Sequence, residues 1–289
     1  MPMISPSPHT NKHTMTTLAL TDADIYYELK GSGPPILFIQ GIGTTGSAWN
    51  PQTDALCQRF HCLQFDNRGI GQSTDRSKEL SIEQMAEDTR HLLDAVGWSS
   101  AHIVGHSMGG IIAQQLALDA PERVRSLSLL CTFSKGSEGA SPTPWAIWMG
   151  LRTRVGPRTW RRRAFLEMLF PANYLATCAA DALAAELAPI VGRDLADQPP
   201  VLMRQVRALG AHNASARLGE LSSIPTLVLS AERDPIAKPE FGQRLHQAIG
   251  RSRYVEITDA AHGVTIQKAA EINDLIERHI LDTEGNAPT

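Results

Sequence analysis

The sequence predicts an α/β protein whose mainly parallel sheet is covered by helices on both faces, and three observations carry that expectation. Apolar strand-like runs alternate with helix-like stretches along most of the chain. From about Lys135 to Leu218 the alternation gives way to helical patterns broken by Pro142, Pro144, Pro157, Pro171, Pro189, Pro199 and Pro200, as an inserted helical cap would be. Finally, a G-x-S-x-G segment, Gly105-His106-Ser107-Met108-Gly109, falls between a strand-like run and a helix-like one.

Taken in order, the first fourteen residues, "MPMISPSPHTNKHT", carry no apolar stretch and read as a tail with neither signal nor anchor; Met15, which follows, is a candidate start residue. The boundaries drawn are a disordered tail over 1–15, a core over 16–134 and 219–289, and the cap over 135–218. Asp24 to Leu29 reads as a strand turning at "GSGPP" into Pro35–Ile39. A short helix from Pro51 and a strand over His61–Phe65 follow. Ser81 and Gln84 then form a capping box for a helix with the stripe Ile82, Met85, Thr89, Leu92, Leu93 and Val96, which ends at Gly97. Ala101–Val104 is a strand, "SMGGIIAQQLALDAP" a helix stopped at Pro121, and Val124–Leu130 a strand. Beyond the cap come the strand Thr226–Ser230, a helix from Pro239, the strand Tyr254–Ile257 and a terminal helix from Gln267 to about Leu281.

The composition limits the choice of partner. A chain of 289 residues, 42% hydrophobic and 20% charged, can bury a large core, and a formal charge of −3 gives no pull toward nucleic acid or anionic membranes. Its four cysteines, Cys57, Cys62, Cys131 and Cys178, show neither disulfide nor zinc spacing, so a reduced, cytoplasmic setting with no metal is expected. No apolar run approaches the ~18 residues of a membrane span. The partner expected is a small molecule.

In the Ser107 segment, small glycines permit a tight turn that would hold the serine strained and exposed at the top of the sheet. A serine at its own pKa is a poor nucleophile and needs a base, itself oriented by a third group. Asp234 in "SAERDP" and His262 in "DAAHGV" lie just past successive strands, at the edge where ligand sites gather. Asp259 and Glu232 are competing acids, and His106 reads as wall or packing. "FIQGIGTTG", Phe38 to Gly46, also spells the G-x-G-x-x-G of a dinucleotide turn, with Asp66 twenty residues beyond Gly46. Against that reading, Pro51 is a better first helical residue than Gly46, and Asp66 is equally explained as holding a turn beside Arg68.

With "FDNRGIGQS", "GHSMGG", "IPTLVLSAERDP" and "AAHG" in this order, the chain resembles the α/β-hydrolase superfamily from Thr16 to Leu281. Cap-bearing esterases, enol-lactonases and C–C bond hydrolases are closest in pattern. The resemblance implies a triad of Ser107, Asp234 and His262, no cofactor, and an oxyanion hole made by the backbone N–H groups of Ile42 and Met108. It also implies His-Gly at the loop where this chain has Gln40-Gly41; glutamine, a hydrogen bonder too, can take that bracing place.

Gln40, Gly41, His106, Trp145, Trp148 and Met149 are the candidate pocket residues. The cap stretch Trp145–Pro171 carries Arg152, Arg154, Arg158, Arg161, Arg162 and Arg163, which read either as grips for an anionic substrate group or as a solvated helix face whose aromatic side roofs the pocket. The function expected is cleavage of an ester or lactone. Acyl transfer and C–C bond hydrolysis would use the same triad, and a non-catalytic receptor or a dinucleotide enzyme stands further off.

Overall fold

The structure is a computed structural model and describes residues 13–285. Its strands are β1 (His13–Ala19), β2 (Asp24–Gly31), β3 (Pro35–Ile39), β4 (His61–Phe65), β5 (Ala101–His106), β6 (Val124–Leu130), β7 (Thr226–Ala231) and β8 (Ser252–Ile257). They form one eight-stranded sheet in the order β1-β2-β4-β3-β5-β6-β7-β8. β1 and β2 pair antiparallel with each other, as do β2 and β4, and every later pairing is parallel. The strands at the centre read as unbroken apolar runs because helices cover both faces: β5 and β7 are buried at every position.

The framework helices are α1 (Asn50–Leu56), α2 (Ile82–Ala95) and α3 (Met108–Asp119). α3 is buried from Met108 through Leu118, as a helix apolar on all sides must be. At α2, Ser81 Oγ accepts from the Gln84 amide at 3.1 Å, but the Gln84 side chain donates to Asp22 at 2.9 Å and does not return to Ser81. The expected capping box is therefore half made. A nearby carboxylate is a stronger acceptor than the reciprocal bond would use.

Between β6 and β7 lie α4 (Gly136–Ala140), α5 (Pro144–Arg152), α6 (Arg158–Leu169), α7 (Ala172–Leu175), α8 (Ala180–Val191) and α9 (Leu202–Ala211). Leu166, Phe170, Leu183, Leu187, Val191 and Leu195 give this stretch a small core of its own. The chain then closes with α10 (Pro239–Ile249), α11 (Val264–Gln267) and α12 (Ala269–Gly285). The terminal helix expected from Gln267 to about Leu281 is α12, which starts two residues later and runs to Gly285; Lys268, with φ −121°, parts it from α11.

Residues 13–15 of the expected tail belong to β1, where Met15 pairs with Glu28; the rest of that tail lies outside the described residues. β1 is an exposed, threonine-rich edge strand with no apolar alternation to announce it. Among the described residues no helix is long and apolar enough to cross a membrane.

Arg68, in the turn after β4, ties three segments together. Its guanidinium meets Asp88 of α2 in a bidentate pair, one arm of it at 2.7 Å, and Asp22 at 2.8 Å, while Asp66 looks elsewhere. Arg68 and Asp88 are both buried, so losing one strands the other in a low dielectric. Arg68→Leu is expected to lower unfolding free energy by about 3–5 kcal/mol. Arg68→Met combined with Asp88→Leu should recover most of that loss in urea titrations.

Candidate active site

One residue separates β5 from α3, and it is Ser107, with φ 56° and ψ −122°. A non-glycine residue in that region costs on the order of 1–3 kcal/mol and persists only where its surroundings dictate it. They do so here: Ser107 N–H donates to Leu130 O at 3.0 Å, and its carbonyl accepts from Thr132 Oγ1 at 2.7 Å and from Gly110 N–H at 3.0 Å. A Cβ on Gly109 would lie 2.1 Å from Ile39 O, so only glycine lets α3 start this close to β3.

Asp234 and His262 follow β7 and β8, on the same sheet edge as Ser107. Asp234 Oδ2 accepts from His262 Nδ1 at 2.7 Å, while Oδ1 accepts from the amides of Ile236 and Ala237 at 2.8 and 2.9 Å. Burial alone would push the Asp234 carboxyl up. The charge and hydrogen bond of His262 and the two amides outweigh it, and the pKa falls below the usual carboxylate value. This arrangement fixes the imidazole with Nδ1 toward the acid and leaves Nε2 for other work. Among the described residues, no hydrogen bond joins Ser107 Oγ to that nitrogen.

The competing acids are occupied elsewhere. Glu232 accepts from the Asp259 amide at 2.8 Å, and Asp259 pairs with Arg233 at 2.6 Å.

The loop after β3 reaches the serine directly: a Cβ on Gly41 would sit 3.0 Å from Ser107 Cβ and 3.6 Å from its Oγ. Gln40 braces that approach. Its Oε1 accepts from the Gly41 amide at 2.7 Å and meets His106 Nδ1 at 3.2 Å, while Asn67 donates to its backbone carbonyl at 2.9 Å. His106 Nε2 in turn reaches His262 O at 2.9 Å, and the two imidazole rings stand 4.7 Å apart. Gln40 and His106 thus link the loop, the serine turn and the backbone of His262, as buried braces.

Asp66 is consumed in the same region. Its carboxylate accepts from the amides of Gly46 at 2.7 Å and Gln72 at 2.9 Å, and the third glycine of "GIGTTG" opens a 3₁₀ turn over Gly46–Trp49. No carboxylate is left facing outward for a ribose at this position.

Of the remaining pocket candidates, Met149 is buried, but Trp145 and Trp148 stand 37% and 57% exposed on α5, and Trp160 is 67% exposed. These three tryptophans face solvent. The arginines are answered within the chain: Arg152 and Arg163 pair with Glu167, Arg158 with Asp194 and Asp197, and Arg162 with Asp194. Arg161 donates to Ala196 O at 3.0 Å and Arg154 to Gly150 O at 2.9 Å. They stitch the helices together, which leaves little for an anionic ligand.

Two residues the sequence did not single out, Arg193 and Gln205, reach the glycine loop from the helical stretch at Gly43. Neither sits in a motif. An open cleft of about 720 Å³ lined by Arg125, Thr226, Ser252 and His279 lies at the opposite end of the strands and shares no residue with this site.

A mostly parallel sheet with a strained serine between its fifth strand and third helix defines a hydrolase of the α/β class. A family model for the alpha/beta hydrolase fold matches residues 34–269, and the chain belongs to that family. It is 31% identical over 255 residues, 88% of this chain and 94% of the other, to a protein of Azorhizobium caulinodans that bears the name carbamate hydrolase RutD. The enol-lactonase of Burkholderia xenovorans LB400 superposes with a TM-score of 0.78 at 26% identity, covering 92% of this chain and all (100%) of that one. Est816, described as an N-acyl homoserine lactone degrading enzyme, gives 0.75 at 26% identity, over 91% and 99% of the two chains.

Burial pushes the His106 pKa down to about 3, with the charge of His262 adding to the effect, and burial pushes that of His102 in β5 down to about 4. In the unfolded chain both take a proton near the ordinary value of about 6.5, whereas the folded protein refuses it. The stability they leave intact above pH 6.5 is therefore lost as pH falls toward 4 and then 3, by about 1.4 kcal/mol per pH unit for each. Urea midpoints at pH 7, 6 and 5 should fall in step, and His106→Gln should flatten the slope. A flat profile in the parent protein would contradict neutral burial.

Proposed function

We propose that this protein is a serine hydrolase that cleaves a carboxylic ester or lactone through an acyl-enzyme on Ser107. The observation that carries the reading is the 2.7 Å pair of His262 and Asp234 on the sheet edge that also bears the strained serine. Ser107 attacks the carbonyl carbon while His262 Nε2 takes its proton, and Asp234 holds the tautomer and steadies the imidazolium. The amides of Ile42 and Met108 receive the oxyanion, each worth a few kcal/mol in a site closed to water. His262 then returns the proton to the leaving alcohol and activates the water that frees the acyl group.

The lactone-cleaving enzymes among the similar structures support this choice of substrate. A second reading, cleavage of a carbamate by the same attack, is favoured by the 31% identity to the carbamate hydrolase.

A fluorophosphonate probe should label the wild-type protein and leave Ser107→Ala unlabelled; equal labelling of both would remove Ser107 from the mechanism. Asp234→Asn should keep the fold yet lose about 10³–10⁴-fold in kcat, because the imidazole then takes the wrong tautomer. Rates on p-nitrophenyl esters of increasing length, a set of lactones and a carbamate of matched leaving group decide between the two substrate readings.

A further inference from the structure

Ile42 and its neighbours form a loop held at both ends by side chains. On one side the Gly41 N–H is bound by Gln40 Oε1 at 2.7 Å. On the other, the Gly43 N–H is bound by Gln205 Oε1 at 2.8 Å, and the Gly43 carbonyl accepts from an Arg193 Nη1. The peptide that carries the Ile42 N–H lies between these two anchored peptides, which fix the path by which the chain enters and leaves it. Gly43 has φ +68°, where glycine is free to move, and that freedom makes an external clamp necessary.

Both clamping side chains come from the helical stretch between β6 and β7, Gln205 from α9 and Arg193 from the turn after α8. Arg193 spends its hydrogen bonds on two backbone carbonyls, of Gly43 and of Asp197 at 3.0 Å, and lies 5.7 Å over the Phe165 ring. Gln205 is fully buried and its Nε2 has no hydrogen-bond partner among the described residues. A leucine would remove that stranded atom but would also take the acceptor from the buried Gly43 N–H, so what glutamine contributes there is the bond to the loop. The rest of the contact has the same character: Ser47 Oγ donates to Ile190 O at 3.0 Å, and a Cβ on Gly192 would lie 2.4 Å from Thr45.

We propose that Gln205 and Arg193 are positioning residues that hold the Ile42 amide in its oxyanion-binding orientation, so that the hole is complete only while the helical stretch is seated on the glycine loop. The proposal rests on the serine-hydrolase reading above. Neither residue touches the reacting atoms. Each acts through Gly43.

The test compares the full-length wild type with Gln205→Leu, Arg193→Gln and Arg193→Lys on one p-nitrophenyl ester. A trifluoromethyl ketone, whose adduct with serine places an oxyanion in the hole, serves as the second readout. Gln205→Leu and Arg193→Gln are expected to lose about 10²-fold in kcat with KM within about twofold, and to lose trifluoromethyl ketone affinity in parallel. Arg193→Lys, which keeps a donor, should recover part of both. An unchanged kcat, a loss confined to KM, or a kcat loss without loss of ketone affinity would each overturn the proposal. Melting temperatures separate these outcomes from unfolding, and should Gln205→Leu unfold, the two Arg193 variants decide alone. Absence of fluorophosphonate labelling in the wild type would instead sink the hydrolase reading, and a labelled protein with indifferent variants would sink only the clamp.

Discussion

Ser107 is the one residue whose backbone the rest of the structure must serve. Its positive φ turns the chain from β5 into α3 within a single residue, and that turn exists only because α3 begins against β3. The close start buries α3 almost completely and makes Met108 its first residue. Strain at this position is stored in the backbone and held there by Leu130, Thr132 and the glycines around it. Loosening any of them would let the serine relax away from the edge where the other groups wait.

The groups that wait there reach the edge through parallel strands. Because β3, β5, β7 and β8 all run the same way, the loops carrying Gly41, Ser107, Asp234 and His262 emerge at one edge of the sheet, although the acid and the base are 28 positions apart in sequence. Two kinds of interaction then fix them. Asp234 is held by charge and three hydrogen bonds in a buried pocket, and Gln40 with His106 ties loop to turn through neutral ones. Where a histidine is usual, the glutamine amide performs the brace, its oxygen accepting from the Gly41 amide beside His106 Nδ1.

Much of this was legible in the sequence, and what was not has physical reasons. The strands His61–Phe65 and Val124–Leu130 coincide with their apolar runs because both are buried between helix layers. β1 escaped notice because an exposed edge strand needs no apolar face. Ser107, Asp234 and His262 could be placed by motif and strand end. The tryptophans of α5 and α6 could not, since apolar spacing says that a face is apolar without saying what covers it. The arginines were ambiguous for a related reason: their acids, Asp194 and Asp197, lie 32–39 residues away in sequence and meet them only in the folded helices. Arg193 and Gln205 gave no signal at all, because a side chain that serves another segment's backbone needs no pattern of its own.

The helical stretch packs around its own small core, apart from the sheet's. Such a segment is a module: its outer faces, helix lengths and even its tryptophans can drift without unsettling the strands beneath. On the proposed reading the attacking groups stand on the sheet's loops, and the helical stretch can be rewritten without touching them so long as it still sits on the glycine loop through the few contacts at Gly43, Thr45 and Ser47.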